Sequence, residues 1–264
     1  MIARLAARAS LWNRRRKLAL FLETMRPGPE TRVVDVGVGD TGFGTEPGVA
    51  ASHNFFEALY PWPERITAVS DVPLPNFARE FPLVRTVTAS GTELPFEDDA
   101  FDATLSQLVV NFMADPPAGV REMARVTRPG GVVASCVWDY AGEMTLLRSF
   151  WDAAIEVDPR AEALDEGRTM PWCRDGDLAR LWEDVGLTGV RFGAIEVRAG
   201  YSGFDDLWWP LPTGVAPSGA YCASLDEQGR SALREAYRRR LGAGDEPFEL
   251  TARAWAVAGT VSAG

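Results

Sequence analysis

A short β-branched segment that runs directly into closely spaced glycines does most to limit how this 264-residue chain can fold. The segment is Arg32-Val-Val-Asp-Val-Gly37, and Gly39, Gly42 and Gly44 follow it. A buried parallel strand has this apolar composition, and glycines after it allow a tight turn whose backbone N–H groups can approach a ligand. The sequence therefore predicts a central strand of an α/β sheet that opens onto a ligand site.

Strand and helix patterns alternate through the first half of the chain. Parallel strands need a crossover between them, usually a helix, and such crossovers are right-handed, so the alternation favours a parallel sheet. The predicted strands cover residues 65–70, 84–89, 101–106 and 131–138, and the predicted helices cover 48–60, 76–81 and 117–127.

The last part of the chain has a different pattern. Helices are predicted at 145–157 and from Asp177, as the cap, to Gly186, as the stop signal. Predicted strands at 190–199 and 248–257 are separated by a loop and a helix, which favours a terminal antiparallel pair. The longest uncharged stretch, 207–225, contains three prolines and is predicted to be a loop, not a membrane helix.

Charge and cysteine content exclude several function classes. Lys and Arg total 27 against 37 Asp and Glu, and a net charge of −10 argues against a nucleic-acid partner. Cys136, Cys173 and Cys222 are far apart and accompany a single histidine, His53, so neither a metal site nor a disulfide framework is expected. Reduced structural thiols and a cytoplasmic location without membrane attachment are expected instead.

Three blocks of residues occur in order along the chain. They are Val33-Val-Asp35-Val-Gly37-Val-Gly39, Leu94-Pro-Phe96-Glu-Asp-Asp-Ala-Phe101-Asp102 and Arg125-Val-Thr-Arg-Pro129-Gly130-Gly131. Together they resemble the class I S-adenosylmethionine-dependent methyltransferases, in particular the small-molecule branch that includes the quinone-biosynthesis methyltransferases. The resemblance covers about residues 30–140. It implies a doubly wound, mostly parallel seven-stranded sheet in the order 3-2-1-4-5-7-6, with the last strand antiparallel and helices on both faces.

The resemblance also implies how the chain is organised. We expect a single methyltransferase-like domain over 1–264, with no linker that splits it. Residues 1–29 would form an N-terminal helical cap, with an amphipathic helix at 4–26. Residues 30–140 would form the cofactor-binding half, and 141–264 the acceptor-side half, with an inserted loop and helix at about 203–243.

The resemblance assigns cofactor contacts by position. The Gly37–Gly39 turn would lie against the methionine part of S-adenosylmethionine, and Asp35 would support the turn or bind the amino group. A segment after the third strand would contact adenine, and a segment after the fourth would flank the cofactor. The complete set of expected cofactor-binding residues is Asp35, Gly37, Gly39, Asp71, Ser90, Gly91, Thr92, Ser106 and Gln107.

Three positions differ from the usual family pattern. An extra residue, Asp40, follows Gly39 where the family usually has Gly-x-Gly-Thr-Gly. Ser70 stands where the acid that binds the ribose hydroxyls is expected, so Asp71 can serve only if the second strand has already ended. Ser90 replaces another frequent acid and carries no charge.

The expected activity is methyl transfer to a small, fairly apolar or aromatic acceptor. A direct displacement needs alignment more than a fixed catalytic signature, so no catalytic residue is assigned, and His53, Asp139 and Tyr140 are expected to be structural. Several aromatic residues can line the acceptor site or pack in the core: Trp138, Trp151, Trp172, Phe204, Trp208 and Trp209. The alternative is a catalytically silent member of the fold that binds a partner. A nicotinamide dehydrogenase fits less well, because it leaves the second and third blocks unexplained.

Overall fold

The computed structural model describes residues 19, 22–23, 25–40, 54–214 and 216–263. Its central feature is a seven-stranded sheet in the order β3-β2-β1-β4-β5-β7-β6, which confirms the predicted topology. The strands are β1 (Val33–Val36), β2 (Ile66–Ser70), β3 (Arg85–Thr88), β4 (Phe101–Gln107), β5 (Thr127–Trp138), β6 (Thr188–Tyr201) and β7 (Phe248–Thr260).

Strand β1 is a four-residue inner strand of the sheet. It pairs in parallel with β2 on one side and with β4 on the other. Val33 and Val34 are completely buried, as expected for a parallel strand covered on both faces. Strand β7 runs antiparallel to β5, since the start of β5 bonds to its end through Gly130 and Val261, and the residue after β5, Asp139, bonds to Arg253 near its start.

The helices follow the predicted crossovers closely. Proline occupies the first turn at Pro75 and Pro116, where its missing N–H costs nothing. The helices are α1 (Phe55–Leu59), α2 (Pro75–Glu80), α3 (Pro116–Arg125), α4 (Thr145–Val157), α5 (Glu166–Thr169), α6 (Asp177–Asp184), α7 (Phe204–Trp208), α8 (Ala216–Ser224) and α9 (Glu227–Leu241).

Two local predictions are wrong. The cap of α6 is Gly176, in a left-handed conformation, and Asp177 is the first helical residue, where it pairs with Arg180. The uncharged stretch 207–225 is largely helical. Helix α8 begins after Pro210 and Pro212, and it accommodates Pro217 because a proline in the first turn of a helix breaks no hydrogen bond.

The chain divides into two compact units, each with its own core. One contains 7–137, 175–195 and 255–264, and packs around residues such as Val33, Ile66 and Phe77. The other contains 1–6, 138–174 and 196–254; its core includes Phe150, Trp151, Phe204, Leu233 and Tyr237. The prediction of a single domain, with boundaries at 29 and 140, stays a prediction.

The predicted N-terminal helix at 4–26 lies mostly outside the described residues. Of its positions, 19, 22, 23 and 25 are described and are helical. Among the described residues, no helix is both long enough and apolar enough to cross a membrane.

Candidate functional site

The carboxyl ends of β1, β2 and β4 lie together, because these strands are parallel neighbours. Beyond β1 the chain turns at Gly37, whose φ is +94°. The N–H groups of Gly37 and Val38 both donate to the carbonyl of Val69, at 2.8 and 3.0 Å. The tight turn that the glycine spacing predicts after β1 is therefore present. It is hydrogen-bonded to the end of the neighbouring strand β2.

The two glycines of the turn have different surroundings. A Cβ at Gly37 would lie 2.8 Å from the Cβ of Val109, so a side chain there would collide with the segment after β4. A Cβ at Gly39 would meet nothing within 4 Å. Gly37 is thus required by packing, whereas Gly39 leaves space in front of the turn.

Asp40, the extra residue of the turn, has a structural role. Its carboxylate accepts hydrogen bonds from the backbone N–H groups of Asn76 and Phe77, both at 2.8 Å, and from the Asn76 side chain at 3.0 Å. These N–H groups lie in the first turn of α2 and have no partner within the helix. The departure from the family pattern therefore provides a cap for the helix after β2.

Asp71 lies just beyond the end of β2, which is the condition under which it can replace the expected acid. Strand β2 ends at Ser70, which is buried, and Asp71 is the next residue and is exposed. Within the described part of the chain, the Asp71 carboxylate has no hydrogen-bond or ion-pair partner. It stands at the carboxyl end of the strand next to β1, where it is available to bind hydroxyl groups.

The segment 90–92 lies beside β1 as well. A Cβ at Gly91 would lie 3.2 Å from Val36 Cγ1, so this glycine allows the segment to approach the end of the central strand. The Ser90 hydroxyl accepts a hydrogen bond from the Thr92 N–H at 3.2 Å and lies 2.8 Å from the Thr92 hydroxyl. Ser90 therefore stabilises a local turn instead of supplying the charge that an acid would.

Ser106 and Gln107 lie at the end of β4 but point in opposite directions, since successive side chains of a strand alternate. Ser106 is 2% exposed and aligns with Ser135 on β5; neither hydroxyl has a hydrogen-bond partner among the described residues. Gln107 is half-buried and lies on the opposite face with Leu105. Gln107 can offer its side chain to a ligand on that face.

A cavity of about 340 Å³ lies along this same sheet face, within the unit that contains β1. Its floor consists of small or slender side chains that alternate along the strands, which leaves room above the sheet. The floor residues are Leu105 and Gln107 on β4, Val132, Ala134 and Cys136 on β5, and Ala256 and Ala258 on β7. Met25, Asp35, Phe55 and Phe56 also line the cavity. An apolar cavity of this size suits a small molecule.

Asp35 forms a contact that sequence reasoning missed. Its carboxyl group interacts with that of Glu57 on α1, which is only 4% exposed. Burial raises the pKa of Glu57 to about 7. Burial, and then the neighbouring Glu57 charge, raises the pKa of Asp35 as well, so the pair holds a proton near neutral pH. The signal available in the sequence was an acid directly after Phe55-Phe56.

The residues considered for catalysis have structural roles where they are described. Asp139 is buried and forms a 2.6 Å ion pair with Arg253, and it accepts from the N–H groups of Gly142 and Glu143. Tyr140 is buried, and this burial raises the pKa of its hydroxyl. His53 lies outside the described residues.

Some of the aromatic residues proposed for the acceptor site pack in a core, and one of them is exposed. Trp151 and Phe204 are each 1% exposed and belong to the core of the second unit. Trp208 stacks on Phe204 with ring centroids 6.2 Å apart, whereas Trp209 is 74% exposed. Of the cysteines, Cys173 and Cys222 are buried, and Cys136 lines the cavity; none of the three forms a disulfide bond.

The second and third motif blocks are joined by charged side chains. Arg125 donates to the carbonyls of Leu94 and Phe96 and pairs with Glu122 and Asp98. Asp102 accepts from the Arg32 N–H at 2.7 Å and pairs with Arg128 at 2.6 Å. These contacts stabilise the fold around the site without contributing to the cavity wall.

Comparison with known proteins supports the motif assignment. Residues 34–135 match a family described as "Methyltransferase domain". The demethylmenaquinone methyltransferase of Mycobacterium tuberculosis is 29% identical over 132 residues, 50% of this chain and 54% of that protein. That of Corynebacterium urealyticum is 28% identical over 212 residues, 74% of this chain and 84% of that protein. The match to the mycobacterial relatives thus spans about half of their length.

Solved structures support the fold. The YcgJ protein of Bacillus subtilis matches with a TM-score of 0.56 and 17% identity over 95% of this chain and all of that one. A putative methyltransferase of Bacillus halodurans matches with a TM-score of 0.54 and 14% identity over 93% of this chain and 99% of that one. Residues 34–135 are therefore similar in sequence to a methyltransferase domain, and the solved structures share the fold that the sequence motifs predict.

Proposed function

We propose that this chain binds S-adenosylmethionine at the carboxyl ends of β1, β2 and β4 and transfers its methyl group to a small acceptor. The observation that carries the proposal is the position of Asp71. It is the first residue after β2, it is exposed, and among the described residues it has no partner. A carboxylate so placed can accept hydrogen bonds from both ribose hydroxyls, the role that the family pattern gives to an acid one position earlier, where this chain has Ser70.

The other predicted residues fit the cofactor in this arrangement. The open space before Gly39 admits the methionine part, and the Gly37–Gly39 turn brings backbone close to it. The Ser90–Thr92 turn lies beside Val36 and offers hydroxyl groups and backbone to adenine. Asp35, Ser106 and Gln107 all line the cavity. Asp35 and Gln107 can bind the polar end of the cofactor with their side chains, and Ser106, whose side chain alternates to the other sheet face, can contribute its backbone.

The cavity is the proposed acceptor site. Its walls are mainly apolar, and this favours a flat, apolar or aromatic molecule over a charged one. A quinone ring is one such acceptor, and the name of the demethylmenaquinone methyltransferases gives it as the substrate of those relatives. Arg191, at the cavity edge on β6, can bind a carbonyl or hydroxyl oxygen of the acceptor.

The residues contribute by alignment and exclusion of water. When bound, S-adenosylmethionine supplies an electrophilic methyl group. Phe55 and Phe56 line the cavity and limit the water in it, while the small residues Ala134 and Ala256 set the depth at which an acceptor can lie. The side chain that receives any proton lost by the acceptor is not assigned.

Calorimetric titration with S-adenosylmethionine and S-adenosylhomocysteine tests the cofactor assignment. We expect saturable binding of both, weakened about ten- to a hundredfold by Asp71→Ala, since one charged hydrogen bond contributes roughly 1.5 to 3 kcal/mol. Asp175→Ala is the matched control, because Asp175 is also an exposed aspartate in a turn. Binding that Asp71→Ala leaves unchanged would remove Asp71 from the site. Absence of binding by the wild-type chain would favour the silent-scaffold alternative.

Methyl transfer to a panel of apolar acceptors tests the cavity. Radiolabelled S-adenosylmethionine is incubated with demethylated quinones, phenols and aliphatic amines of similar size. We expect transfer to a flat aromatic acceptor, and we expect Ala134→Phe, which fills the cavity, to abolish it while leaving S-adenosylhomocysteine affinity within about threefold. Undiminished transfer by a folded Ala134→Phe variant would contradict the assignment of the cavity to the acceptor.

A further inference from the structure

The Asp35–Glu57 pair is an unusual feature of the cavity region, and the proposed function uses only one of its members, Asp35, and gives no role to Glu57. Asp35 lies on β1, half-buried at the wall of the cavity, and its carboxyl group interacts with that of Glu57 on α1, which is 4% exposed. Glu57 Oε1 is buried and has no hydrogen-bond partner among the described residues. Two carboxyl groups in contact at a site with little solvent cannot both be ionised at moderate cost, so they retain a proton.

Among the described residues, no cation acts on either carboxyl group of the pair. Burial raises the pKa of both groups, and the charge of Glu57 raises the pKa of Asp35 further, whereas a backbone hydrogen bond and the hydrogen bond with Asp35 partly lower the pKa of Glu57. Arg191 is the charged residue on the opposite side of the cavity lining, on the edge strand β6. Asp35 is the one acid among the described lining residues. An acid pair at the wall of an apolar cavity is therefore ready to attract a cation that enters it.

The cofactor and its product differ in the charge that such a pair would detect. S-adenosylmethionine carries a sulfonium cation, and S-adenosylhomocysteine carries a neutral thioether at the same place; their amino and carboxylate groups are identical. In a cavity with apolar walls, a positive charge near two carboxyl groups favours the ionised form of both. A neutral thioether gives no such stabilisation.

We propose that the Asp35–Glu57 pair is a charge sensor that gives up its proton when S-adenosylmethionine binds and keeps it when S-adenosylhomocysteine binds. Glu57 is thus a specificity-determining residue that favours the charged cofactor over its product. This inference rests on the proposed function, because it requires that the cofactor bind at this end of the sheet.

The consequence is a difference in pH dependence between the two ligands. Below neutral pH the pair is protonated in the free protein, so binding of the cation must displace a proton and becomes weaker as the pH falls. Release of one proton corresponds to roughly a tenfold loss of affinity per pH unit. The affinity for S-adenosylhomocysteine should change much less over the same range, so the preference for the charged ligand grows as the pH rises from 6 to 8.

Proton release is measured directly by calorimetry in buffers of different ionisation enthalpy, at pH 6, 7 and 8. We expect S-adenosylmethionine to release close to one proton more than S-adenosylhomocysteine near pH 6, and we expect Glu57→Gln to abolish that difference. Glu64→Gln, at an exposed glutamate near α1, is the matched control and should leave the difference intact.

The outcomes separate this inference from the proposed function. If neither ligand binds, the proposed function fails. If both bind and the wild-type chain releases the same number of protons with each, the charge-sensor proposal is overturned while the cofactor assignment stands. The wild-type measurement decides this even if Glu57→Gln does not fold, and Asp35→Asn provides a second variant with the same expected loss of the proton difference.

Discussion

Gly37 lies against Val109, so that the turn after β1 and the segment after β4 are in direct contact where the cofactor is proposed to bind. With φ of +94°, Gly37 adopts a backbone conformation that side chains disfavour, and a Cβ there would lie 2.5 Å from Val109 Cγ1. The neighbouring Leu108 also has a positive φ, of +60°. Both sides of this contact are therefore held in uncommon backbone conformations, which is typical of a binding site.

Gly37→Ala should destabilise the protein by about 2 to 4 kcal/mol, because backbone strain adds to overpacking. Urea unfolding followed by circular dichroism measures the change. Val109→Ala in the same chain should recover the overpacking part, since it removes the methyl groups that the new Cβ would meet. A double variant no more stable than Gly37→Ala would show that Val109 is not the obstacle.

Gly39→Ala should weaken ligand binding and leave stability nearly unchanged. A Cβ at Gly39 meets no atom within 4 Å, so stability should change by no more than about 0.5 kcal/mol. The new methyl group would occupy the space in front of the turn, and S-adenosylhomocysteine affinity should fall roughly tenfold or more. Calorimetry on the folded variant tests this, and unchanged affinity would place the ligand away from Gly39.

Asp40→Ala should lower the free energy of unfolding by about 1 to 2 kcal/mol, because two N–H groups at the start of α2 lose their acceptor and the helix loses a favourable negative charge. Urea unfolding is again the measurement. Asp71→Ala is the comparison: it should affect ligand affinity and leave stability nearly unchanged. Equal stability losses in the two variants would contradict the capping role of Asp40.

Arg125→Lys should destabilise the chain by about 2 kcal/mol although the charge is kept. Lysine cannot reproduce the forked guanidinium that bonds to the Leu94 and Phe96 carbonyls together with Glu122 and Asp98. Arg121→Lys, at an exposed position one turn earlier on α3, should change stability by less than about 0.5 kcal/mol. Thermal unfolding of both variants tests the difference.

Glu57 should make the protein less stable as the pH rises. Its pKa in the folded state is raised by burial to about 7 from 4.5, so the folded state binds more protons between these values, and stability falls as the pH rises across this window. Glu57→Gln removes the ionisable group and should be more stable than the wild type at pH 8 by about 2 to 3 kcal/mol.

Urea unfolding at pH 5, 6, 7 and 8 tests the role of Glu57, with Glu64→Gln as the control. We expect the wild type and Glu64→Gln to lose stability in parallel between pH 5 and 8, and Glu57→Gln to lose much less. A Glu57→Gln chain with the same pH dependence as the control would show that Glu57 ionises normally in the folded state.

Local sequence patterns were enough to predict the sheet. The β-branched run before Gly37 and the alternation of strands and helices were sufficient, because backbone periodicity and turn chemistry are local properties. The family resemblance carried by the three motif blocks implied the strand order, which the structure confirms. Gly37, Asp71 and Ser90 each follow a predicted strand, and parallel strands have their carboxyl ends at one edge, so these residues were expected to lie near each other.

The contacts of individual side chains could not be predicted from local patterns. Asp40 is an insertion relative to the family pattern, and the structure shows that it accepts a hydrogen bond from the N–H group of Asn76 in α2, 36 residues later in the chain. Ser106 and Gln107 are adjacent in sequence, yet only the side chain of Gln107 lies on the cavity face, because the pleat of β4 separates them. The Asp35–Glu57 pair is likewise a long-range contact. Hydrogen bonding and pKa depend on distance and burial, and these are set by how distant segments pack.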